Sequence, residues 1–239
     1  MQNPVDFYGV ALPTFPSLNL DPHLLDAPFD AQNLTVETHR LLQYIRLSVD
    51  TFKKEESAVD DLSRELLRTL GFETDDYVIR TRHLLHLRMC GNVVSAQTNV
   101  SIVQSRANGN ILLIEENKTR DSTKNPEPQL IAEAIAAFQF NNVVRRDRGL
   151  QCLASMTFPC IIMVGNQPTF YLVPVTQALS DAVCRGEYPA ANTTIYKHSV
   201  VDHPDDHLGM TIADFREEVI QHYGAFRTLA RGHWAAFSI

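Results

Sequence analysis

The chain has no run of about 18 apolar residues, so its sequence predicts no membrane span. The start of the chain lacks a basic segment followed by an apolar stretch, so we expect no secretory signal there. The four cysteines show no CxxC spacing and no clustered histidines, which disfavours both a zinc site and a disulfide framework. Together these absences predict an intracellular protein, of the cytoplasm or the nucleus, with reduced thiols.

Basic residues are also in deficit, because 21 Lys and Arg face 28 Asp and Glu, for a net charge of −7. A protein that coats long nucleic acid usually carries a broad basic field, so that class of function is disfavoured. An enzyme with a small basic cleft stays open, because arginines cluster twice along the chain. For both clusters, solvated surface is the simpler interpretation. They are Arg80, Arg82 and Arg88, and Arg145, Arg146 and Arg148.

Three common catalytic or nucleotide-binding motifs are missing: the GxSxG elbow, the GxxxxGK[ST] loop and the GxGxxG fingerprint. Hydrolase-triad, NTPase and dinucleotide interpretations therefore have no support in the sequence. A hydrophobic content of 44% is enough for a sizeable core. We predict an irregular N-terminal arm over residues 1–34 and a single α/β domain over residues 35–239.

The hydrophobic periodicity predicts an alternation of helices and strands. The helices are expected at residues 35–49, 57–70, 128–140, 175–185 and 211–230. The strands are expected at residues 77–89, 92–104, 111–114, 160–164 and 169–175, the first three as a meander with a turn at Asn108 and Gly109. This order predicts an α/β fold with a mixed central β-sheet flanked by helices.

The end of the third strand is the most informative segment. Four aliphatic residues are followed directly by Glu115, Glu116, Asn117 and Lys118. Since side chains alternate along a strand, Glu116 and Lys118 share one face. A carboxylate and an amine that leave an apolar strand together must be paired, solvated or bound to a metal. That combination suits metal-assisted hydrolysis of a phosphodiester, although a surface ion pair would give the same short pattern.

With this segment, the chain resembles the PD-(D/E)XK phosphodiesterase superfamily, whose fold is restriction-endonuclease-like. Glu116, Asn117 and Lys118 match the third-strand motif, and Gln129 matches a glutamine of the following helix. The chain is similar, in particular, to a group of uncharacterised proteins of mushroom-forming fungi. The shared segments are residues 89–91, 96–100, 111–118 and 168–171.

The resemblance implies Mg²⁺ or Mn²⁺ as cofactor and a set of residues to hold it. Glu116 would be a metal ligand, Lys118 would position water, and Gln129 would orient substrate or water. Glu65 matches the acidic residue of the first helix, with Glu55, Glu56 and Asp61 as competitors. Asn99 stands 17 residues before Glu116, where the superfamily has Asp.

The amide of Asn99 offers an oxygen without a negative charge, whereas Mg²⁺ prefers carboxylates. The site could therefore be attenuated, or it could recruit Glu65, Glu115 or Glu133, or Asn99 could lie outside it. Glu133 follows Gln129 by one helical turn on the same helix face.

Three hypotheses follow from these residues. The first is a metal-dependent nuclease that cuts DNA or RNA, and the second is a catalytically inactive binding or interaction module on the same fold. The third is an unrelated α/β domain with a surface ion pair. Nucleic acid is the implied partner, no membrane is expected, and the resemblance allows a homodimer. We interpret the acidic loop at residues 202–207 as solvated rather than metal-binding, and Phe170 and Tyr171 as a strand pair.

Overall fold

A computed structural model describes residues 4–49, 56–106, 110–117, 125–200 and 206–234, together with residue 237. For residues 4, 56, 110–117, 206 and 207 the description covers the backbone only. Lys118, the turn at Asn108 and Gly109, Glu55 and most of the acidic loop at residues 201–207 lie outside the described residues.

Six strands form one sheet, and they follow each other across it in chain order. β3 and β4 run parallel, and all other neighbours run antiparallel, so the sheet is two antiparallel halves joined by one parallel pair. The prediction of a mixed central sheet is confirmed. The strands are β1 (Tyr77–Met89), β2 (Asn92–Gln104), β3 (Asn110–Asn117), β4 (Ser155–Val164), β5 (Gln167–Thr176) and β6 (Tyr196–Ser199).

Seven α-helices precede, connect and follow these strands in the described part of the chain. They are α1 (Pro4–Tyr8), α2 (His23–Asp26), α3 (Val36–Leu47), α4 (Glu56–Thr69), α5 (Glu127–Asp147), α6 (Gln177–Arg185) and α7 (Ala213–Trp234). Two 3₁₀ helices lie at Phe15–Leu18 and Asp206–Thr211. Among the described helices, none combines the length and apolar character that crossing a membrane requires.

α3 and α4, which directly precede the sheet in the chain, carry the start and stop signals that their sequence predicts. The side chain of Thr35 accepts a hydrogen bond from the backbone N–H of Thr38 at 3.2 Å, which caps α3. Gly71 follows α4 with φ of +69°, a left-handed conformation that suits glycine and stops the helix. Leu62 and Leu66 of α4 are completely buried, because they lie on its apolar stripe.

Helices cover both faces of the sheet. Phe170 of β5 packs against Tyr223 and Phe226 of α7, with ring centroids 5.1 and 4.8 Å away. The next residue, Tyr171, points to the opposite face, because strand side chains alternate. Its hydroxyl donates to Glu127, in the first turn of α5, at 2.9 Å. Thus α7 lies on one face and α5 on the other.

The segment before α3 packs onto this core. Tyr8, Phe15 and Leu24 are buried in the same hydrophobic cluster as the sheet. Arg216 of α7 is also buried, and its guanidinium donates to the backbone carbonyl of Leu25. The described part of the predicted arm therefore contains short helices held against α7, while the boundary at residue 34 stays a prediction.

Several element boundaries differ from their predictions. α5 continues to Asp147 rather than ending near residue 140. The side-chain oxygen of Asn142 accepts a hydrogen bond from the backbone N–H of Leu153 at 2.7 Å, which ties this last part of the helix to the following loop. β4 begins at Ser155 rather than near residue 160. Residues 155–159 pair with β5, whereas the pairing of β4 with β3 begins at Cys160. There Pro159 needs no donor on the β3 side.

Candidate functional site

The predicted centre lies at the end of β3, in the middle of the sheet. Glu116 is the last residue but one of β3, and its backbone is in register with Met163 of β4. On the other side, Ile114 pairs with Val100 of β2. Asn99, which is half-buried, directly precedes Val100. The backbones of Asn99 and Glu116 therefore lie on adjacent strands at the same end of their pairing.

The structure does not describe the side chain of Glu116, so its convergence with Asn99 stays a prediction. When the register of the Ile114–Val100 pair is continued, the backbone position opposite Asn99 is that of Glu115, and Glu116 is one residue further along β3. Lys118 follows just beyond the described part of β3. Within the described residues, no three His, Cys, Asp or Glu side chains form a group that could hold a metal ion. The metal-ligand roles predicted for Glu116, Asn99 and Glu65 therefore rest on sequence and on backbone position.

Gln129 and Glu133 lie in the first two turns of α5. The Gln129 amide donates to Oε1 of Glu133 at 3.3 Å, which confirms that the two residues share a helix face. Gln129 is exposed, whereas only 2% of the Glu133 surface is accessible. α5 crosses from the end of β3 to the start of β4 and packs against β3. The exposed amide of Gln129 and the buried carboxylate of Glu133 thus lie side by side on the helix that follows β3 in the chain.

Glu65 is buried in α4 and forms an ion pair with Arg40 of α3. Arg40 Nε and Nη2 lie 2.7 and 2.6 Å from the same oxygen, Oε1 of Glu65. A charge-assisted contact of this kind stabilises the carboxylate where it is. Of the two candidates for the acidic role whose side chains the structure describes, Glu65 is bound by Arg40 and Asp61 is exposed.

A polar cluster of Glu127, Tyr171 and Lys197 joins α5 to β5 and β6. Oε1 of Glu127 accepts hydrogen bonds from the Tyr171 hydroxyl at 2.9 Å and from Lys197 Nζ at 2.8 Å. The hydrogen bond from Lys197 lowers the pKa of Glu127, while burial and then Glu127 raise the pKa of Tyr171. The cluster therefore holds a carboxylate, a protonated phenol and an ammonium, and it fixes the start of α5.

Sequence reasoning interpreted Tyr171 only as part of the sheet, and it did not identify Glu127 or Lys197. The three residues are far apart in sequence, and no local pattern links them. The one available signal was Glu127 in the proline-rich start of a predicted helix, where an acidic residue is favoured. Its partners become visible only with the tertiary fold.

The arginine-rich strand β1 divides its polar residues between the two sides. His83 is buried and packs edge-on against Phe140 of α5, with ring centroids 5.5 Å apart, so it does not face an outside ligand. Arg82, His86 and Arg88 are exposed instead. Strand alternation explains both outcomes. The exposed side is the only part of β1 that could meet a ligand.

A search against models of known protein families and one against curated proteins both found no match for this chain. What points to a function is therefore the chain's own residues and their positions in the fold.

Proposed function

We propose that this protein is a metal-dependent phosphodiesterase that acts on DNA or RNA, with a PD-(D/E)XK nuclease-like arrangement. The observation that carries the proposal is the position of Glu116 near the end of β3, a strand paired on both sides. α4, the meander β1–β3 and α5 follow one another in the order that the resemblance implies. This order supports the proposal, because the predicted site residues Glu65, Asn99, Glu116 and Gln129 belong to α4, β2, β3 and α5, while Lys118 lies outside the described residues.

In this proposal Glu116 and Asn99 would hold Mg²⁺ or Mn²⁺, since oxygen ligands suit both hard cations. The ion would supply a Lewis acid for the phosphate and would lower the pKa of a bound water. Lys118 would orient the attacking water and stabilise negative charge on the phosphate oxygens. Gln129, which is exposed, would orient the substrate or the water.

The neutral amide of Asn99 leaves the proposed site one carboxylate short. Glu115, Glu65 and Glu133 are the candidates to supply it. Glu65 is already bound by Arg40 through Oε1, and Glu133 accepts from Gln129 through Oε1. Glu115 neighbours Glu116 in β3 and pairs in register with Ile162. Substitution of each by Gln, with metal affinity as the readout, distinguishes the three.

The direct test is cleavage of single-stranded DNA, duplex DNA and RNA with Mg²⁺ or Mn²⁺, and with EDTA. We expect metal-dependent cleavage that is lost in Glu116→Gln and in Lys118→Ala. Glu37→Gln, an exposed position in α3, is the matched control and should cut as the unaltered chain does. Cleavage that survives in both site variants would refute the proposal.

Asn99→Asp tests whether that position belongs to the site. A new carboxylate beside the metal should tighten Mn²⁺ binding in calorimetric titration and raise the cleavage rate. If neither quantity changes, then Asn99 is not a ligand and the site must be built from other residues.

A catalytically inactive nucleic-acid-binding module on the same fold is the second candidate. Asn99 favours it, because an Asp-to-Asn change is the simplest way to weaken such a metal site. This candidate predicts nucleic-acid binding without metal-dependent cleavage, and no heat of Mn²⁺ binding that depends on Glu116.

A further inference from the structure

The hairpin formed by β1 and β2 differs in charge from the rest of this acidic chain. Residues 77–104 contain three arginines and no Asp or Glu, although the whole chain carries a net charge of −7. A basic segment in an acidic protein concentrates positive potential in one place. It therefore points to a local anion-binding surface rather than to a coat over the whole molecule.

We propose that the exposed side of this hairpin binds the phosphate backbone of nucleic acid and directs the bound nucleic-acid strand towards the end of β3. We define the basic hairpin face as Arg82, Leu84, His86 and Arg88, which are exposed, whereas the intervening His83, Leu85 and Leu87 are buried. The inference rests on the proposed function and specifies the substrate-binding surface of that site.

The arginines of this face are available for an outside ligand. Among the described residues, neither Arg82 nor Arg88 takes part in an ion pair. Arg88 follows Arg82 by six positions along the strand, a distance of roughly 20 Å. That length spans several phosphates, because each strand of DNA carries one charge per about 3.4 Å of helix axis. The face can therefore neutralise more than one phosphate of a single strand.

Arg82 connects this face to the candidate centre. It lies between the pairs Thr81–Val100 and His83–Thr98, so it stands across from Asn99. Its φ is +51°, a left-handed conformation that is unfavourable for any residue but glycine. Strained residues of this kind concentrate at ligand sites. The strain in β1 thus falls in the same cross-strand row as Asn99.

Backbone hydrogen bonds to α5 and α6 hold the hairpin at its tip and along its edge. At the tip, the backbone N–H groups of Cys90 and Gly91 donate to the carbonyls of Val183 and Cys184 at 2.9 and 2.8 Å. These carbonyls belong to the end of α6, where a helix leaves acceptors unpaired. Further back, the backbone N–H of Arg88 donates to the side chain of Gln139 at 2.8 Å. A surface anchored in this way is pre-organised for binding.

A second copy of the chain is the competing occupant, because β1 is the edge strand of the sheet. Symmetric pairing of two β1 strands would place the arginines of one copy beside those of the other. Like charges in direct opposition destabilise such a pair. Of the three acidic residues at the base of the hairpin, Glu73 accepts from the Ile79 N–H and Asp76 contacts Arg106, while Asp75 is exposed. The charge pattern therefore favours a polyanion.

The test measures the affinity of labelled single-stranded RNA, single-stranded DNA and duplex DNA by fluorescence anisotropy in EDTA, over a salt series. The variant is Arg82→Gln with Arg88→Gln, and the matched control is Arg64→Gln with Arg68→Gln, which removes two exposed arginines of α4. We expect the hairpin variant to bind at least tenfold more weakly at about 0.1 M salt. The plot of log association constant against log salt concentration has a negative slope, and the magnitude of this slope should decrease by about 1.5. The control should stay within about twofold.

Arg88→Gln alone provides a second variant, since it leaves the strained position untouched and should lower the slope by about half as much. Equal affinity of the hairpin variants and the unaltered chain would refute the surface, as would equal losses in hairpin and control variants. Binding to vesicles of anionic lipid without binding to any oligonucleotide would also refute it.

Cleavage separates this inference from the proposed function. Normal cleavage with unchanged affinity in the hairpin variants would refute the basic hairpin face and leave the phosphodiesterase standing. Hairpin-dependent binding by a chain that cuts nothing would support the face and refute the catalytic proposal.

Discussion

Two regions of this protein differ in the exposure of their polar side chains, which are buried in one region and exposed in the other. Where α1 meets β6 and α7, the Tyr8 hydroxyl lies 2.9 Å from Nδ1 of His222, and the rings of His198 and His222 stack with centroids 5.0 Å apart. All three residues are buried. On the basic hairpin face, by contrast, Arg82 and Arg88 are exposed.

The contrast separates residues that hold the fold from residues available to a ligand. A buried polar group costs free energy unless it is hydrogen-bonded, so the groups at α7 must keep their partners for the chain to fold. Exposed cations carry no such requirement and contribute little to stability. Four measurements of stability test this division, from the largest expected effect to the smallest.

Arg216→Ala should produce the largest loss on the buried side. It removes the donors to the carbonyls of Leu25 and Met210 and leaves both acceptors in a buried environment. We expect the free energy of unfolding to fall by about 3 kcal/mol, measured by urea denaturation.

Arg231→Ala is the matched control for that change, because Arg231 lies on the same helix, is exposed, and donates to the Gly71 carbonyl at 2.9 Å. Its loss should cost about 1 kcal/mol or less. Equal losses in the two variants would contradict the division between buried and exposed polar groups.

Acid should weaken the buried side through His222. Burial, and then His198, lower the pKa of His222 to about 4, whereas an unfolded histidine has a pKa of about 6.5. Between these values the unfolded chain binds a proton that the folded chain does not, so stability falls as pH falls below about 6.5 and this contribution levels off below about 4. We expect His222 to account for a loss of about 2 kcal/mol between pH 7 and pH 5.

The contribution of His222 is measured as the difference between the unaltered chain and His222→Phe in urea denaturation at the two pH values. Tyr8, Phe170, His198 and Glu218 surround His222, and Glu218 lies 3.8 Å from its Nε2. His86→Gln, at an exposed position of β1, is the matched histidine control. A His222→Phe variant with the same pH dependence as the unaltered chain would exclude His222 as its source.

At position 82, glycine should be better than alanine for stability. Glycine adopts a positive φ without penalty, whereas a residue with Cβ pays for it. We expect Arg82→Gly to exceed Arg82→Ala by about 1 kcal/mol in chemical denaturation. If alanine were the more stable variant, the backbone at this position would not be left-handed in solution.

Arg88→Gln should have the smallest effect on stability. Arg88 is exposed, and its contacts to Gln139 use the backbone, which the substitution preserves. The free energy of unfolding should stay within about 0.5 kcal/mol of the unaltered chain by the same method. A larger loss would show that this arginine helps to hold the fold and would weaken its role as a ligand contact.

The antiparallel hairpin was the most predictable part of the fold. β1 and β2 occupy residues 77–89 and 92–104, the bounds that their hydrophobic pattern predicts. β6 could not be predicted, because His198 is the one buried residue of its four. Its pairing with β5 supplies the strand conformation, and that pairing is a tertiary contact. The same limit explains why α5 was predicted too short.

For the candidate site, the sequence predicted positions better than contacts. It placed Glu116 at the end of a central strand and Gln129 with Glu133 on one helix face, and the backbone and the hydrogen bond agree. It could not foresee that Arg40 binds Glu65, because the two residues lie on different helices. Charge partners depend on how helices pack, which local patterns do not encode.

The single parallel pair between β3 and β4 has a consequence for folding. Each antiparallel half contains one tight hairpin, β1–β2 or β4–β5, and hairpins of this kind form within microseconds. The pair Leu113–Cys160 instead requires the chain to cross the sheet through α5, and contacts so distant in sequence form slowly. We therefore expect the β3–β4 pair to form last during folding. The position of Glu116 beside Met163 depends on this pair. Any activity of the site would then report completed assembly of the whole sheet.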